Sequence, residues 1–316
     1  MNILSLFNGL GGLPLACGRA GIKIENCYYS EIDKYANKVM EKHYPDAIAL
    51  GDVTKWREWD IDWSEIGLVG AGFPCQAWSV AGKQLGDKDE RGMLFWTTLE
   101  IIAHVLKHNP KAKFLMENVK MKKDFEQYIT HHTEQALGHV EKTLINSALV
   151  SAQNRQRYYW TNFEVTQPED KGVLLSDILD DGFNDREKSQ TILATIYKEN
   201  AKSMVKRNKM GLVVRATVQA NAEHTYNGKV PTITASMGVG GGNVPLLTDC
   251  ETAAKYKGKY IDKHERLEYR KLTPLECERL QTFPDGWTDC VSNTQRYKAL
   301  GNAWTIDVIA HILNCI

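Results

Sequence analysis

One alternation between residues 2 and 162 leaves few architectures open to this chain. Short apolar runs at 2–7, 26–30, 47–50, 67–73, 113–119, 142–149 and 155–162 read as strands. Between them 12–20, 34–43, 93–107 and 124–137 carry helical spacing, as where Leu94, Phe95, Leu99, Ile102, Ala103 and Leu106 recur every three or four residues. A strand joined to the next through a helix makes a crossover connection, and such connections build parallel sheets. The expected fold is therefore α/β: a doubly wound, mostly parallel, seven-stranded sheet with helices on both faces.

From about residue 163 to 268 the pattern changes. Helical spacing becomes scarce, Gly, Thr, Asn and Lys become frequent, and "GKVPTITASMGVGGGNVPLL" (228–247) reads as two β-like runs around a glycine-rich loop. This stretch is expected to form a smaller, β-rich or irregular domain. After it, "LTPLECERLQTF" has Thr273 as N-cap, Pro274 at the first helical position and Glu276 completing a capping box. The final segment, 304–316, bears an apolar face of Ile306, Val308, Ile309, Ile312 and Leu313. Burying that face calls for a return to the sheet, so the expected organisation is 1–162, 163–268 and 269–316, the last rejoining the first.

At 316 residues, 43% apolar and 25% charged, the composition is that of an ordinary globular protein, and no run is apolar enough to span a bilayer. The N-terminus has no basic n-region, so a cytoplasmic location is expected. Seven cysteines without a C-x-x-C pair argue against a disulfide framework and a structural zinc site; no metal is expected. Net charge is zero, yet 41–100 holds eleven acids against six Lys/Arg, and 186–215 holds eight Lys/Arg against two acids. The basic stretch suits phosphates, though a solvated face explains it equally well.

Ligands of open parallel sheets bind beyond the carboxyl ends of the strands. There the chain places "FNGLGG" after the first strand, Glu31 and nearby Asp33 after the second, and Gly51-Asp52 after the third. Pro74-Cys75-Gln76 follows the fourth, and Glu117-Asn118-Val119 ends the fifth. The glycine loop can bring backbone to a ligand at a helix N-terminus, Glu31 suits ribose hydroxyls, and Asp52 suits an adenine amine. Each alone is unremarkable as a turn or a solvated strand end; together they indicate a nucleoside ligand. Cys75 is by residue type most often a small buried hydrophobe, but a thiol at such an edge suits nucleophilic chemistry. Glu117 ends an apolar strand, where acids are rare unless paired or functional. On a strand, Gln153, Arg155 and Arg157 share one face, with guanidiniums able to meet Glu117, a base oxygen or phosphates.

In order, "FNGLGG", "SEID", "GD", "GFPCQ", "MENV", "QNRQR", "LTPLECERLQTFP" and "LGNAW" resemble the motifs of the C5-cytosine DNA methyltransferases, of bacterial or phage type with some likeness to the animal de novo type. The resemblance covers 1–162 and 270–316, and extends more weakly to 228–247 as a target-recognition region. It implies the S-adenosylmethionine-dependent methyltransferase fold, S-adenosylmethionine as methyl donor, double-stranded DNA as substrate, and DNA methylation, as in restriction-modification. It implies that Cys75 adds to cytosine C6, Glu117 binds N3 and the exocyclic amine, Arg157 holds O2 and Arg155 supports the active-site loop. For the cofactor it implies Phe7, Asn8, Gly9, Gly11, Gly12, Glu31, Ile32, Asp52, Val53, Pro74, Asn302, Ala303 and Trp304. For the substrate it implies Gln76, Ser79, Asn118, Gln153, Thr234, Gly240 and Gly241, the base being flipped out of the duplex. No protein partner beyond a weak homodimer is implied.

Three departures stand out. Asn8 occupies a position more often Asp or Ser, Trp78 one usually Phe, and "NAWTID" replaces the commoner Asn-Ser-Val ending. Competing readings are the RNA-directed branch of the family, whose C-F-T tripeptide is absent, and a modified methyl donor. Two more are an inactive DNA-binding homologue, opposed by intact Cys75, Glu117, Arg155 and Arg157, and a small-molecule methyltransferase, which needs neither 153–157 nor a basic insert.

Overall fold

A computed structural model describes residues 1–74, 93–180, 187–198 and 271–316 with side chains, and the backbone of 183–184, 213–217 and 266–270. In chain order the first elements are β1 (Asn2–Leu6), α1 (Gly12–Arg19), β2 (Cys27–Ser30), α2 (Lys34–His43), β3 (Ile48–Gly51) and β4 (Ile66–Ala71). Next come α3 (Met93–His108), β5 (Lys113–Val119), α4 (Lys123–Leu137), β6 (Glu141–Asn146), β7 (Gln153–Asn154) and β8 (Gln156–Thr161). Seven of these strands form one sheet in the order β3-β2-β1-β4-β5-β8-β6. The first five run parallel, and β8 lies antiparallel to both neighbours. The order reverses between β1 and β4, which opens a crevice beyond their carboxyl ends.

Side chains of successive strand residues point to opposite faces, and both faces are buried. Ile3, Leu68 and Leu115 pack on one side with Leu13 and Ala16 of α1. Leu4, Leu6, Val69, Phe114 and Met116 pack on the other with Phe95, Leu99 and Ile102 of α3. The last helices are α5 (Pro274–Leu280), α6 (Asn293–Asn302) and α7 (Ile306–Leu313). Ile306, Val308, Ile309, Ile312 and Leu313 are buried in the same core as Leu13 and Ala16 of α1. Each such burial contributes roughly 1.5–3 kcal/mol before entropy is counted. At the head of α5, Glu276 N–H donates to Thr273 Oγ1 at 3.2 Å and Thr273 N–H donates to Glu276 Oε2 at 2.7 Å, the expected capping box.

The expected strand 142–149 stops at Asn146, and 147–149 is a 3₁₀ turn. The Asn146 side chain is the cause: its Oδ1 accepts from Ala148 N–H at 3.1 Å and from Arg155 N–H at 3.0 Å. With its N–H taken by that side chain, Arg155 breaks the strand between β7 and β8. Gln153, Arg155 and Arg157 therefore do not alternate along one strand. Within the expected second region the described backbone holds a three-stranded antiparallel sheet of β9 (Phe183–Asn184), β11 (Val213–Thr217) and β12 (Arg266–Arg270). β10 (Ser189–Gln190) pairs with β7. The glycine-rich stretch 228–247, with Thr234, Gly240 and Gly241, lies outside the described residues. Among those described, no helix is long and apolar enough to cross a membrane.

Candidate active site

Beyond β1 the backbone turns through left-handed conformations at Phe7 (φ 54°), Gly9 (55°) and Gly11 (78°). Glycine adopts such angles freely; for Phe7 they cost about 1–3 kcal/mol and persist only under constraint from the surroundings. The constraint is visible. Asn8 N–H donates to Ser30 O at 3.0 Å, and Gly9 N–H donates to Glu31 Oε2 at 2.8 Å. Trp287 Nε1 donates to Leu10 O at 2.9 Å while its indole stacks on His43 at 3.6 Å between centroids. Trp287 is in turn held by Glu278, a fully buried carboxylate that accepts from Gly286 N–H and Thr288 N–H, each at 2.8 Å, and pairs with Arg296 at 2.9 Å.

The loop forms one wall of a cavity of about 500 Å³ that runs along the strand ends. Of the residues expected at the cofactor, Phe7, Asn8, Gly9, Gly12, Glu31, Ile32, Asp52, Val53, Pro74, Asn302, Ala303 and Trp304 line it. Glu117, Arg155 and Arg157 line it as well. Gly11 does not. A Cβ there would meet Met40 Sδ at 2.9 Å, so its glycine serves the turn and its packing on α2. Gln153 is also elsewhere: fully buried, it accepts from Ile192 N–H at 3.0 Å and donates to Leu280 O at 3.4 Å. Asn118 acts from behind the cavity. Its Nδ2 donates to Phe73 O at 3.2 Å and its Oδ1 accepts from Val119 N–H at 2.8 Å, which ties the chain entering Pro74 to β5. Cys75, Gln76, Trp78 and Ser79 lie outside the described residues.

Polar groups along the wall suit a nucleoside-bearing ligand. Glu31 Oε1 accepts from Ile32 N–H (2.9 Å) and Asp33 N–H (2.8 Å), and Oε2 from Gly9 N–H. Such a carboxylate is oriented, and its remaining lone-pair capacity can take ribose hydroxyls. Asp52 Oδ1 caps the following turn through Thr54 N–H and Oγ1, both at 2.9 Å. Ile32 is 78% exposed, an apolar surface suited to the face of a base. Asn8 is buried, and neither its Oδ1 nor its Nδ2 finds a partner among the described residues. A buried amide left in that condition costs about 1–3 kcal/mol, and a polar ligand in this cavity would relieve it.

At the far end of the cavity sits Glu117, 8% exposed. Arg157 Nε lies 3.0 Å from its Oε1, and Trp304 Nε1 donates to its Oε2 at 3.1 Å. Arg155, also buried, donates from Nη2 to Ala303 O at 2.8 Å and so holds the segment that carries Trp304. A buried relay anchors that segment further. Ser147 Oγ donates to Thr305 Oγ1 (2.9 Å), Thr305 Oγ1 to Gln281 Oε1 (2.8 Å), and Gln281 Nε2 to Leu300 O (3.0 Å).

One ion pair on the cavity wall brings in a residue outside every sequence motif quoted above. Lys298 Nζ meets Asp33 Oδ2 at 2.7 Å, joining α6 to the N-cap of α2. Burial raises the Asp33 pKa, but the Lys298 contact and the N–H groups of Tyr35 and Ala36 outweigh it and leave the carboxyl below its ordinary value. The Asp33 hydrogen bond raises Lys298. The available signal was spacing: Gln295, Lys298, Ala299 and Asn302 line the cavity and recur at three and four residues on α6.

The family model described as C-5 cytosine-specific DNA methylase matches residues 1–316. The chain is 31% identical over 328 residues to Type II methyltransferase M.HpaII of Haemophilus parainfluenzae, covering 97% of this chain and 86% of that protein. It is 30% identical over 339 residues to Type II methyltransferase M.HhaI of Haemophilus parahaemolyticus, covering 99% and 93%. Its fold resembles a solved Spodoptera frugiperda DNMT2 variant with a TM-score of 0.64 at 18% identity, covering 99% of this chain and 98% of that one.

Proposed function

Because this chain belongs to the C-5 cytosine-specific DNA methylase family and so transfers methyl groups from S-adenosylmethionine to C5 of cytosine in DNA, we propose how its residues divide that work. When bound, S-adenosylmethionine supplies an electrophilic methyl group. The glycine loop, Asn8, Glu31, Ile32 and Asp52 hold it along the ends of β1, β2 and β3, with Asn302–Trp304 as the opposite wall. The unpartnered Asn8 amide is the observation that supports this assignment.

C5 of cytosine is too weak a carbon nucleophile to take a methyl group unaided, and covalent catalysis divides that barrier. In the proposed reaction the Cys75 thiolate adds to C6 of a cytosine flipped out of a double-stranded target sequence, since C6 cannot be reached within the stack. Electron density moves to C5, and Glu117 stabilises the developing charge through N3 and the exocyclic amine. Arg157 holds O2 while it orients Glu117, and Arg155 holds the 303 segment. After C5 is methylated, water takes the C5 proton; the electron pair re-forms the C5–C6 double bond and expels Cys75 as thiolate. The Glu117–Arg157 ion pair at the far end of the cavity, its carboxylate buried, carries this reading.

Residues 163–268 are proposed as the part that grips DNA, with the basic stretch 186–215 on phosphates and Thr234, Gly240 and Gly241 near base edges. A cytoplasmic enzyme, monomeric or weakly homodimeric, completes the reading. The decisive assay uses duplex DNA bearing 5-fluorocytosine, whose C5 has no proton to lose, so elimination is blocked. Wild-type protein with S-adenosylmethionine is expected to form a denaturation-resistant protein–DNA adduct, and Cys75→Ser none. Methylation of ordinary DNA without any such adduct would refute the covalent step. Bisulfite sequencing of plasmid from expressing cells identifies the target sequence.

A further inference from the structure

Trp304 stands at the junction between the cofactor wall and the catalytic carboxylate. Its Cε3 and Cβ lie 3.6 and 3.9 Å from where a Cβ on Gly12, the first residue of α1, would sit. Its Nε1 lies 3.1 Å from Glu117 Oε2. The indole thus spans from the glycine loop to the end of β5, and it donates its one N–H to the carboxylate. We propose that Trp304 is a positioning residue for the methyl-transfer reaction, acting through Glu117. This inference rests on the proposed role of Glu117.

The chemistry is specific. A carboxylate that must meet both N3 and the exocyclic amine of cytosine needs a fixed plane, and one contact leaves it free to rotate about its last bond. Arg157 holds Oε1 and Trp304 holds Oε2. With both oxygens held, the plane is set before the base arrives. Each oxygen keeps acceptor capacity for the base, since an ionised carboxylate offers about four lone-pair sites. The Trp304 N–H bond is to a charged acceptor, and such hydrogen bonds are roughly twice as strong as neutral ones, while Arg157 adds an ion pair. Tryptophan suits the task because indole offers a donor and no acceptor, so it cannot compete with Glu117 for the amine of the base.

Gly72 provides independent support. Its φ lies outside the left-handed range, so its backbone accepts a side chain; a Cβ there, however, would fall 2.7 Å from Trp304 Nε1 and 3.4 Å from Glu117 Oε2. The absence of a side chain at 72 leaves the indole N–H room to reach the carboxylate. Substitution at Gly72 therefore displaces the donor without removing Trp304, Glu117 or Arg157.

The test compares Trp304→Phe, which keeps an aromatic wall and deletes the N–H, with Gly72→Ala and the double variant. The substrates are duplex DNA and S-adenosylmethionine. Wild type must first methylate DNA; if it does not, the function reading fails and this inference with it. Given activity, Trp304→Phe is expected to lower kcat by at least about tenfold, the loss that removal of one hydrogen bond to a charged group produces. KM for S-adenosylmethionine should change less than about threefold. Gly72→Ala should lower kcat comparably, and the double variant little further, because both act on one contact. If Trp304→Phe keeps wild-type kcat, or raises KM alone, Trp304 is only a cofactor wall and the inference is overturned. If Trp304→Phe does not fold, Gly72→Ala decides alone: wild-type kcat there overturns the inference, and a tenfold loss at unchanged KM sustains it.

Discussion

Replacing Gly301 by alanine should damage the protein for a reason unrelated to direct cofactor contact. Gly301 lies in α6, one residue before Asn302, and is buried against the chain at 193–194. A Cβ there would sit 2.2 Å from Ala194 N, 2.3 Å from Leu193 C and 2.5 Å from Ala194 Cα. All three atoms belong to backbone, so no flexible side chain can swing aside. Restoring ordinary contact at 3.4 Å requires α6 and the 193–194 backbone to part by about 1.2 Å. Neither can part freely. Gln281 Nε2 grips Leu300 O on one side, and on the other Ile192, fully buried, is tied by its N–H to Gln153.

Overpacking of this kind costs about 1–3 kcal/mol, and more where backbone must move. For 316 residues the entropy of unfolding makes 2 kcal/mol equivalent to roughly 3 °C in Tm. Because α6 leads directly into Asn302, Ala303 and Trp304, the displacement should also raise KM for S-adenosylmethionine. The control is Gly18→Ala, at an exposed position of α1 with nothing within 4 Å of the new Cβ. There alanine should stabilise by about 0.5–1 kcal/mol, through lower chain entropy in the unfolded state. Calorimetric melting of both variants, with initial rates at varied S-adenosylmethionine, tests the pair. Equal Tm and KM for Gly301→Ala and wild type would refute the reasoning.

Asn8→Ala should weaken S-adenosylhomocysteine binding by about tenfold in titration calorimetry yet leave Tm without ligand unchanged or higher, because the free protein leaves both amide atoms unpartnered. A large loss of Tm would show that Asn8 is structural. Glu278→Ala should cost about 3–5 kcal/mol in urea unfolding, since Arg296 and two loop N–H groups lose a fully buried acceptor; a cost below about 1 kcal/mol would contradict it. Burial pushes the Cys17 and Cys27 thiols from 9.0 up to about 12. Raised folded-state values give stability that is complete below pH 9 and lost as pH climbs toward 12, so the urea midpoint should fall between pH 8 and 10.5. Cys27→Ala should flatten that fall, and iodoacetamide at pH 8 should label neither thiol without denaturant.

The alternation of strands and helices was readable because each element satisfies a local period, and strand-end residues follow from topology once the sheet is parallel. That is why Phe7, Glu31, Asp52, Pro74 and Glu117 could be expected at one cavity from sequence alone. Where a single side chain intervenes, local period fails. Asn146 captures the N–H of Arg155 and divides what reads as one strand, so Gln153 turns inward to Leu280 and Ile192. Glycines were ambiguous for a deeper reason: a missing side chain can make room for a ligand or for another part of the chain. Gly11 and Gly301 sit within ligand-like motifs, yet the space at each is filled by protein, Met40 for one and the 193–194 backbone for the other. Trp304 shows the same limit from the other side. Its place at the cofactor wall could be expected from its motif, but its bond to Glu117 joins residues 187 positions apart. No local pattern encodes that distance; only the packing of α1, β4 and β5 brings the donor and the carboxylate together.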